Sequence, residues 1–195
     1  MIATGKWMWP LLGGVALLQS AALFNMIHER DRLLKSGREV TLAVQPLDPR
    51  DIFRGDYVTL GYDISRIKTS STASDPEFAG FVTGGDAFVT LSPKPEGGWL
   101  VTHVGSVYPS KVTAGDVVLK GTVQSAWTTQ NPAETNASVR YGIEQYFVPE
   151  GTGIDLEKKV RDHKIEAIVS VGTDGTAALK GLVIDGERHE DPPLL

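Results

Sequence analysis

Between Leu47 and Asp56 the chain sets Asp48, Asp51 and Asp56 around Arg50 and Arg54, so three carboxylates fall within nine residues. Carboxylates at that density suit a hard divalent cation or an acid and base pair. The spacing is not that of a calcium loop, and the two arginines oppose the charge, so turn-forming aspartates and ion pairs are the stronger reading. A second stretch, VRYGIEQYF over 139–147, brings Glu144, with Glu150 just beyond it. Beside the first stretch these would make an acidic cleft, in which Asp51, Asp56 and Glu144 are the residues a carboxylate-dependent hydrolase would use. Alternation along one strand also places Glu144 on the face of Arg140, an arrangement that usually serves structure. His28, His103, His163 and His189 are scattered without metal spacing, cysteine is absent, and there is neither a nucleophile elbow nor a phosphate loop. No residue is therefore assigned a catalytic or metal-binding role, and no cofactor is expected.

The elements that would position these groups are strands. EVTLAVQ, DYVTLGYDI, DAFVTLS, GWLVTHVGSVY, DVVLKGTVQSAW, VRYGIEQYFV, KIEAIVSV and TAALKGLVI alternate apolar with polar residues and are rich in Val, Thr, Tyr and Phe. Gly172-Thr173-Asp174-Gly175 reads as the turn of a hairpin between the last two. In DYVTLGYDI, period two turns Val58, Leu60, Tyr62 and Ile64 towards the core and Tyr57, Thr59 and Gly61 away from it. The Tyr62 ring can be buried there if its hydroxyl finds a partner. One short internal helix is expected over 153–163, and polar loops over 69–76 and 128–138. So many strands with so few helical crossovers predict an antiparallel β-barrel or sandwich.

Ahead of this domain, residues 7–27 (WMWPLLGGVALLQSAALFNMI) carry no charge. At 1.5 Å per residue they can cross a hydrocarbon core about 30 Å thick. Trp7 and Trp9 suit the headgroup layer, and the layout is that of a transmembrane signal anchor. A secretory signal cleaved near Ala22 and a buried core helix are the competing readings. Lys6 precedes the span while Arg30, Arg32, Lys35 and Arg38 follow it, which by charge count favours a cytoplasmic carboxyl domain. Long domains cross largely regardless of such charges, so the expectation is an extracytoplasmic, periplasmic domain. The divisions expected are a tail 1–6, the span 7–27, a juxtamembrane linker 28–38, the β-rich domain 39–188 and a loose end 189–195. A net charge of −5 without a basic stripe argues against nucleic acid as a partner. The partners expected are the membrane itself and a membrane or envelope protein, met by a non-catalytic binding or assembly module.

Gly55-Asp56-Tyr57-Val58-Thr59-Leu60-Gly61-Tyr62 fits Gly-Asp-Tyr-x-x-Leu-x-Tyr at every defined position. With PLDPRDIFR before it, RYGIEQYFVPEG later and the anchor in front, the chain resembles the GDYXXLXY protein family over nearly its whole length. The resemblance implies a bacterial, membrane-anchored protein with an extracytoplasmic β-rich domain, and it supplies no activity. Gly55, Asp56, Tyr57, Leu60 and Tyr62, with Asp51, Arg54, Tyr141, Glu144, Tyr146, Phe147 and Glu150, are accordingly expected to be structural and to offer a binding surface.

Overall fold

The structure is a computed structural model that describes residues 8–45, 57–68, 72–74, 82–128, 135–147 and 165–190. Among the described residues one helix, α1 (Met8–Ser36), precedes thirteen strands: β1 (Arg38–Gln45), β2 (Tyr57–Thr59), β3 (Gly61–Tyr62), β4 (Arg66–Lys68), β5 (Ala73–Ser74), β6 (Asp86–Pro93), β7 (Trp99–Gly105), β8 (Val117–Thr128), β9 (Thr135–Arg140), β10 (Gln145–Phe147), β11 (Ile165–Val171), β12 (Ala177–Ile184) and β13 (Glu187–Glu190). They form a five-stranded sheet in the order β13-β12-β11-β1-β3, a six-stranded sheet in the order β4-β9-β8-β6-β7-β5, and the separate pair β10-β2. Pairing is antiparallel except between the two-residue β5 and β7. The mainly β, antiparallel expectation holds: β6-β7, β11-β12 and β12-β13 are hairpins joined by turns, and no helical crossover occurs among the described residues.

Alternation builds a single core. Val40, Leu42 and Val44 of β1 and Ala167, Val169 and Val171 of β11 meet Val89 and Leu91 of β6, Leu119 and Val123 of β8, and Val139 of β9 in one buried cluster. Val58, Leu60, Tyr62 and Ile64 join it on the face that period two assigned to them. The hairpin β11-β12 forms as expected, its turn held by the Asp174 carboxylate, which accepts from the Thr176 N–H at 3.0 Å and the Thr176 hydroxyl at 2.7 Å.

Several boundaries differ from the sequence reading. α1 does not give way to a linker at residue 28 but runs on to Ser36. Its last turns lie on the outer face of the five-stranded sheet, where Ile168, Ser170 and Ala178 point away from the core yet are almost wholly buried. The Ser170 hydroxyl donates to the Leu33 carbonyl at 2.6 Å, and the Arg30 guanidinium donates to the Ala177 carbonyl at 3.1 Å. Gly37 makes the approach possible: a Cβ there would overlap the Ser170 hydroxyl and come within 2.7 Å of the Leu33 carbonyl oxygen.

DYVTLGYDI is not one strand but β2, β3 and a 3-10 turn over Asp63–Ser65, because β2 pairs with β10 while β3 pairs with β1. VRYGIEQYFV likewise divides into β9 and β10. GWLVTHVGSVY stays in a strand only to Gly105, and Thr135–Ser138, expected in a loop, belong to β9. Residues 189 and 190 are not a loose end: β13 pairs with β12 through Leu182–His189 and Gly181–Glu190. The expected helix over 153–163 lies outside the described residues, as do most of the 69–76 loop, 129–134 and 191–195.

Candidate functional site

Two stretches far apart in sequence are stitched together at one edge of the domain. β2 and β10 pair in the register Tyr57–Phe147, Val58–Tyr146 and Thr59–Gln145. Where β2 ends, the Leu60 N–H donates to the Glu144 carbonyl at 2.7 Å, prolonging the contact. Two buried tyrosines then reach across in opposite directions. The Tyr62 hydroxyl donates to the Ile143 carbonyl at 2.8 Å, and the Tyr141 hydroxyl donates to the Ile64 carbonyl at 2.6 Å. The phenols thus satisfy two main-chain acceptors at a place where the chain leaves the sheets and water cannot.

The bend between β9 and β10 is made at Gly142, whose φ of +77° is readily adopted only by glycine. Glu144 closes it: its two carboxylate oxygens accept from the Tyr141 N–H at 2.6 Å and the Gly142 N–H at 2.9 Å. Such charge-assisted bonds are roughly twice as strong as neutral ones. The expected pairing of Glu144 with Arg140 on one strand face is therefore corrected, because the strand breaks between them. Burial, reinforced by the Glu144 charge, pushes the Tyr62 and Tyr141 hydroxyls far above the ordinary phenol range. Both remain protonated donors at physiological pH.

Beside this clasp lies an open cleft of about 1150 Å³, walled by Thr59–Asp63 and Tyr141–Gln145 and floored by β8 and β9. It runs from Thr176 and Ala177 at the end where α1 docks to Gln45 and Asp63 at the far end of β1. Arg66, Lys120 and Arg140 line it, against the carboxylates of Asp63 and Glu144. Arg66 lies opposite Ser138 and Arg140 opposite Thr122 in the cross-strand register, while their neighbours Ile67 and Val139 are buried, so both guanidinium groups point outward. Lys120 pairs with Asp86 at 2.9 Å and lies over the Phe88 ring, and Asp63 accepts from the Gln45 amide at 3.1 Å. Three cations face two carboxylates along the described lining, while Asp51, Asp56 and Glu150, which an acidic cleft would need, lie outside the described residues. Two guanidinium forks among Ser, Thr and Gln side chains can hold carboxylates, phosphates or the main chain of an extended peptide. Among the described residues no group of three His, Asp or Glu side chains is placed to hold a metal ion.

Of the residues singled out in the sequence, Leu60, Tyr62 and Tyr141 are buried, Glu144 is half-buried against the main chain, Tyr146 packs on the core and Phe147 is exposed. Tyr57 is placed through its backbone pairing. Asp51, Arg54, Gly55, Asp56 and Glu150 lie outside the described residues. The sequence reading passes over Arg66 and Lys120 and takes Arg140 only as a neighbour of Glu144; alternation in RIK, VVLKGT and ASVR does mark each as outward-facing, but only the pairing of β4, β9 and β8 makes them neighbours. The family model for GDYXXLXY protein matches residues 19–182, from within α1 into β12. The chain belongs to the GDYXXLXY family. No curated protein and no solved structure matches it. The signature of the GDYXXLXY family, as far as it is described here, is thus half of the clasp: its Leu fills the core, and its last Tyr fastens the turn that carries the second stretch.

Proposed function

We propose that this GDYXXLXY protein is a non-catalytic binding or assembly module, held at the outer face of the cytoplasmic membrane by α1, that takes a membrane or envelope protein along the cleft beside the clasp. The observation that carries this reading is the division of labour at the site. The chemically capable side chains of the clasp, Tyr62, Tyr141 and Glu144, are engaged with main-chain groups, whereas the outward guanidinium groups of Arg66 and Arg140 line an open polar trough. α1 is the one helix among the described residues long and apolar enough to cross a membrane, and its apolar part is exposed. Because the same helix is docked on the five-stranded sheet, a trough starting at Thr176 and Ala177 starts near the bilayer, where a membrane-bound partner would enter. The alternative, a carboxylate-dependent envelope hydrolase built on Asp51, Asp56 and Glu144, would need Glu144 to leave two main-chain donors.

The test places a photo-crosslinking residue at Thr122 or Ser138 in the cleft and at Glu187 on β13, in intact membranes, with mass spectrometry of the products. Crosslinks to a membrane or envelope protein should concentrate at the cleft positions and fall when Arg66→Glu and Arg140→Glu are combined. Equal yields at Glu187, or products containing only this chain, would refute the reading. A reporter active only outside the cytoplasm, fused after Leu195, tests the orientation separately.

A further inference from the structure

The loop from Ser106 to Asp116, between β7 and β8, presents apolar side chains to the outside: Val107, Tyr108 and Val112 are 64%, 37% and 40% exposed. Isolated exposed apolar residues need no explanation, but these belong to one loop at the end of the domain where α1 docks. Tyr108 and Val112 line a cleft of about 980 Å³ together with Met26, Glu29, Arg30 and Leu33. Those four helix positions share one face by their spacing of three and four. The loop therefore faces α1 across a cleft that extends along the helix from Ser36 to Met26, which lies within the apolar span and is itself 66% exposed. The loop is also tied to the helix end. The Arg38 guanidinium, one residue past Gly37, donates to the Gly115 and Asp116 carbonyls at 2.6 and 2.7 Å, and the Tyr108 ring packs edge-on against Phe88 at 5.8 Å.

If α1 crosses a bilayer with Met26 and Ile27 at its boundary, the cleft that this loop lines opens at the interface. We propose that the Ser106–Asp116 loop is a second membrane contact, with Val107, Tyr108 and Val112 entering the headgroup boundary of the leaflet from which α1 emerges. The occupant of this apolar face is the lipid surface. Continuity decides it: the surface that would cover Met26 is the one that reaches Val112. Tyrosine, with an apolar ring and a polar tip, suits this depth, and Lys111 beside it can reach phosphate while its stem stays in the apolar layer. The two contacts, a span and a loop fixed at an offset from it, would stop the domain from tilting on its anchor and so set the height and direction of the Arg66/Arg140 trough. The inference rests on α1 being a membrane span.

The chain has no cysteine, so single thiol probes can be placed cleanly. Full-length variants carrying Leu17→Cys, Val112→Cys or Trp127→Cys, labelled with an environment-sensitive fluorophore and reconstituted in phosphatidylcholine–phosphatidylglycerol vesicles, are tested with brominated lipids and with aqueous iodide. Trp127 is the water-exposed control, ten residues along β8 from Val117 and so about 33 Å away by strand rise. The expected result is quenching by brominated lipid and loss of iodide quenching at position 112, as at position 17 and unlike position 127. Iodide quenching at 112 equal to that at 127, with position 17 still quenched by lipid, would overturn the loop contact and leave the span intact. Protection from iodide at 112 without lipid quenching would mean that protein covers the loop, and would also overturn it. Absence of lipid quenching at position 17 would overturn the span, and the loop contact with it.

Discussion

The reciprocal tyrosines make a quantitative claim about the clasp. Tyr62→Phe and Tyr141→Phe each delete one hydroxyl, with no change in ring packing, and leave the Ile143 or the Ile64 carbonyl without its donor in a buried setting. A hydrogen bond of this kind contributes a net of about 1 kcal/mol, and a buried acceptor left unsatisfied costs about 1–3 kcal/mol. At roughly 2–4 °C per kcal/mol for a domain of this size, each variant should melt about 2–12 °C below the parent. The two bonds fasten the same pair of segments, since Tyr62 reaches the residue two past Tyr141 and Tyr141 the residue two past Tyr62. Once one is cut, the freed segment supports the other less well. The double variant should therefore lose less than the sum, with a coupling of at least about 0.5 kcal/mol. The assay is urea unfolding of the full chain in detergent, followed by near-ultraviolet circular dichroism, for parent, singles and double. Single losses under about 0.5 kcal/mol would refute the buried bonds, because surface-like changes already reach that size. Additivity within about 0.3 kcal/mol would refute the single clasp.

The same phenols give the domain an alkaline limit. Their folded pKa values lie above the ordinary 10.0, chiefly through burial, so the stability they confer is complete below pH 10 and is lost as the pH rises beyond it and the unfolded chain ionises. The Tyr62→Phe, Tyr141→Phe double variant should show a shallower decline of urea midpoint above pH 10, and an unchanged slope would count against it. At the acid end, the hydrogen bond from Arg188, helped by Lys180 and opposed by burial, holds the Glu39 carboxyl down at about 2. Glu39 stays ionised in the folded protein while an ordinary glutamate near 4.5 protonates, so its contribution is present above pH 4.5 and is lost as the pH falls towards 2. Glu39→Gln should flatten stability across that window; a slope equal to the parent's would show that the network of Glu39, Lys180, Arg188 and Glu190 has no net effect. Gly37→Ala should cost about 1–3 kcal/mol by overpacking the joint between α1 and β11. Gly13→Ala, whose Cβ would meet nothing in the exposed part of α1, should leave the melting temperature unchanged.

Strand content, the hairpin β11-β12 and the inward face of Val58–Ile64 were legible because each follows from local alternation and turn chemistry. The continuation of α1 was not, since a charged helix end and a linker look alike until something covers one face. The sign was in β11: Ile168 sits where period two asks for an exposed residue, as in a strand covered on both sides. β13 also had a signal that went unread. Asp185-Gly186 is a hairpin turn pair, and both residues take positive φ, +53° and +87°. The break in VRYGIEQYFV was harder to foresee. Its alternation is unbroken, yet Gly142 at positive φ turns the chain out of β9 and Gln145–Phe147 pair with β2, with Gln145 and Phe147 exposed. Arg66 and Arg140 illustrate the general limit: facing is a local property, whereas adjacency belongs to the sheet order.

That limit bears on how a function for this family can be found by mutation. Leu60, Tyr62 and Tyr141 are buried and bonded inside the clasp, so replacing them removes fold and function together and cannot tell a binding residue from a structural one. Glu144→Gln is similarly ambiguous: an amide keeps one acceptor oxygen and sets its NH2 against the other of the Tyr141 and Gly142 N–H groups, so a loss of stability would follow without any catalytic role. The discriminating positions are exposed and outward-facing, where a change of charge leaves core packing alone. Arg66→Glu with Arg140→Glu should shift stability by no more than about 0.5 kcal/mol per site, as surface substitutions do. Loss of partner crosslinking at unchanged stability would locate recognition on the trough, and retention of crosslinking would move it to another face.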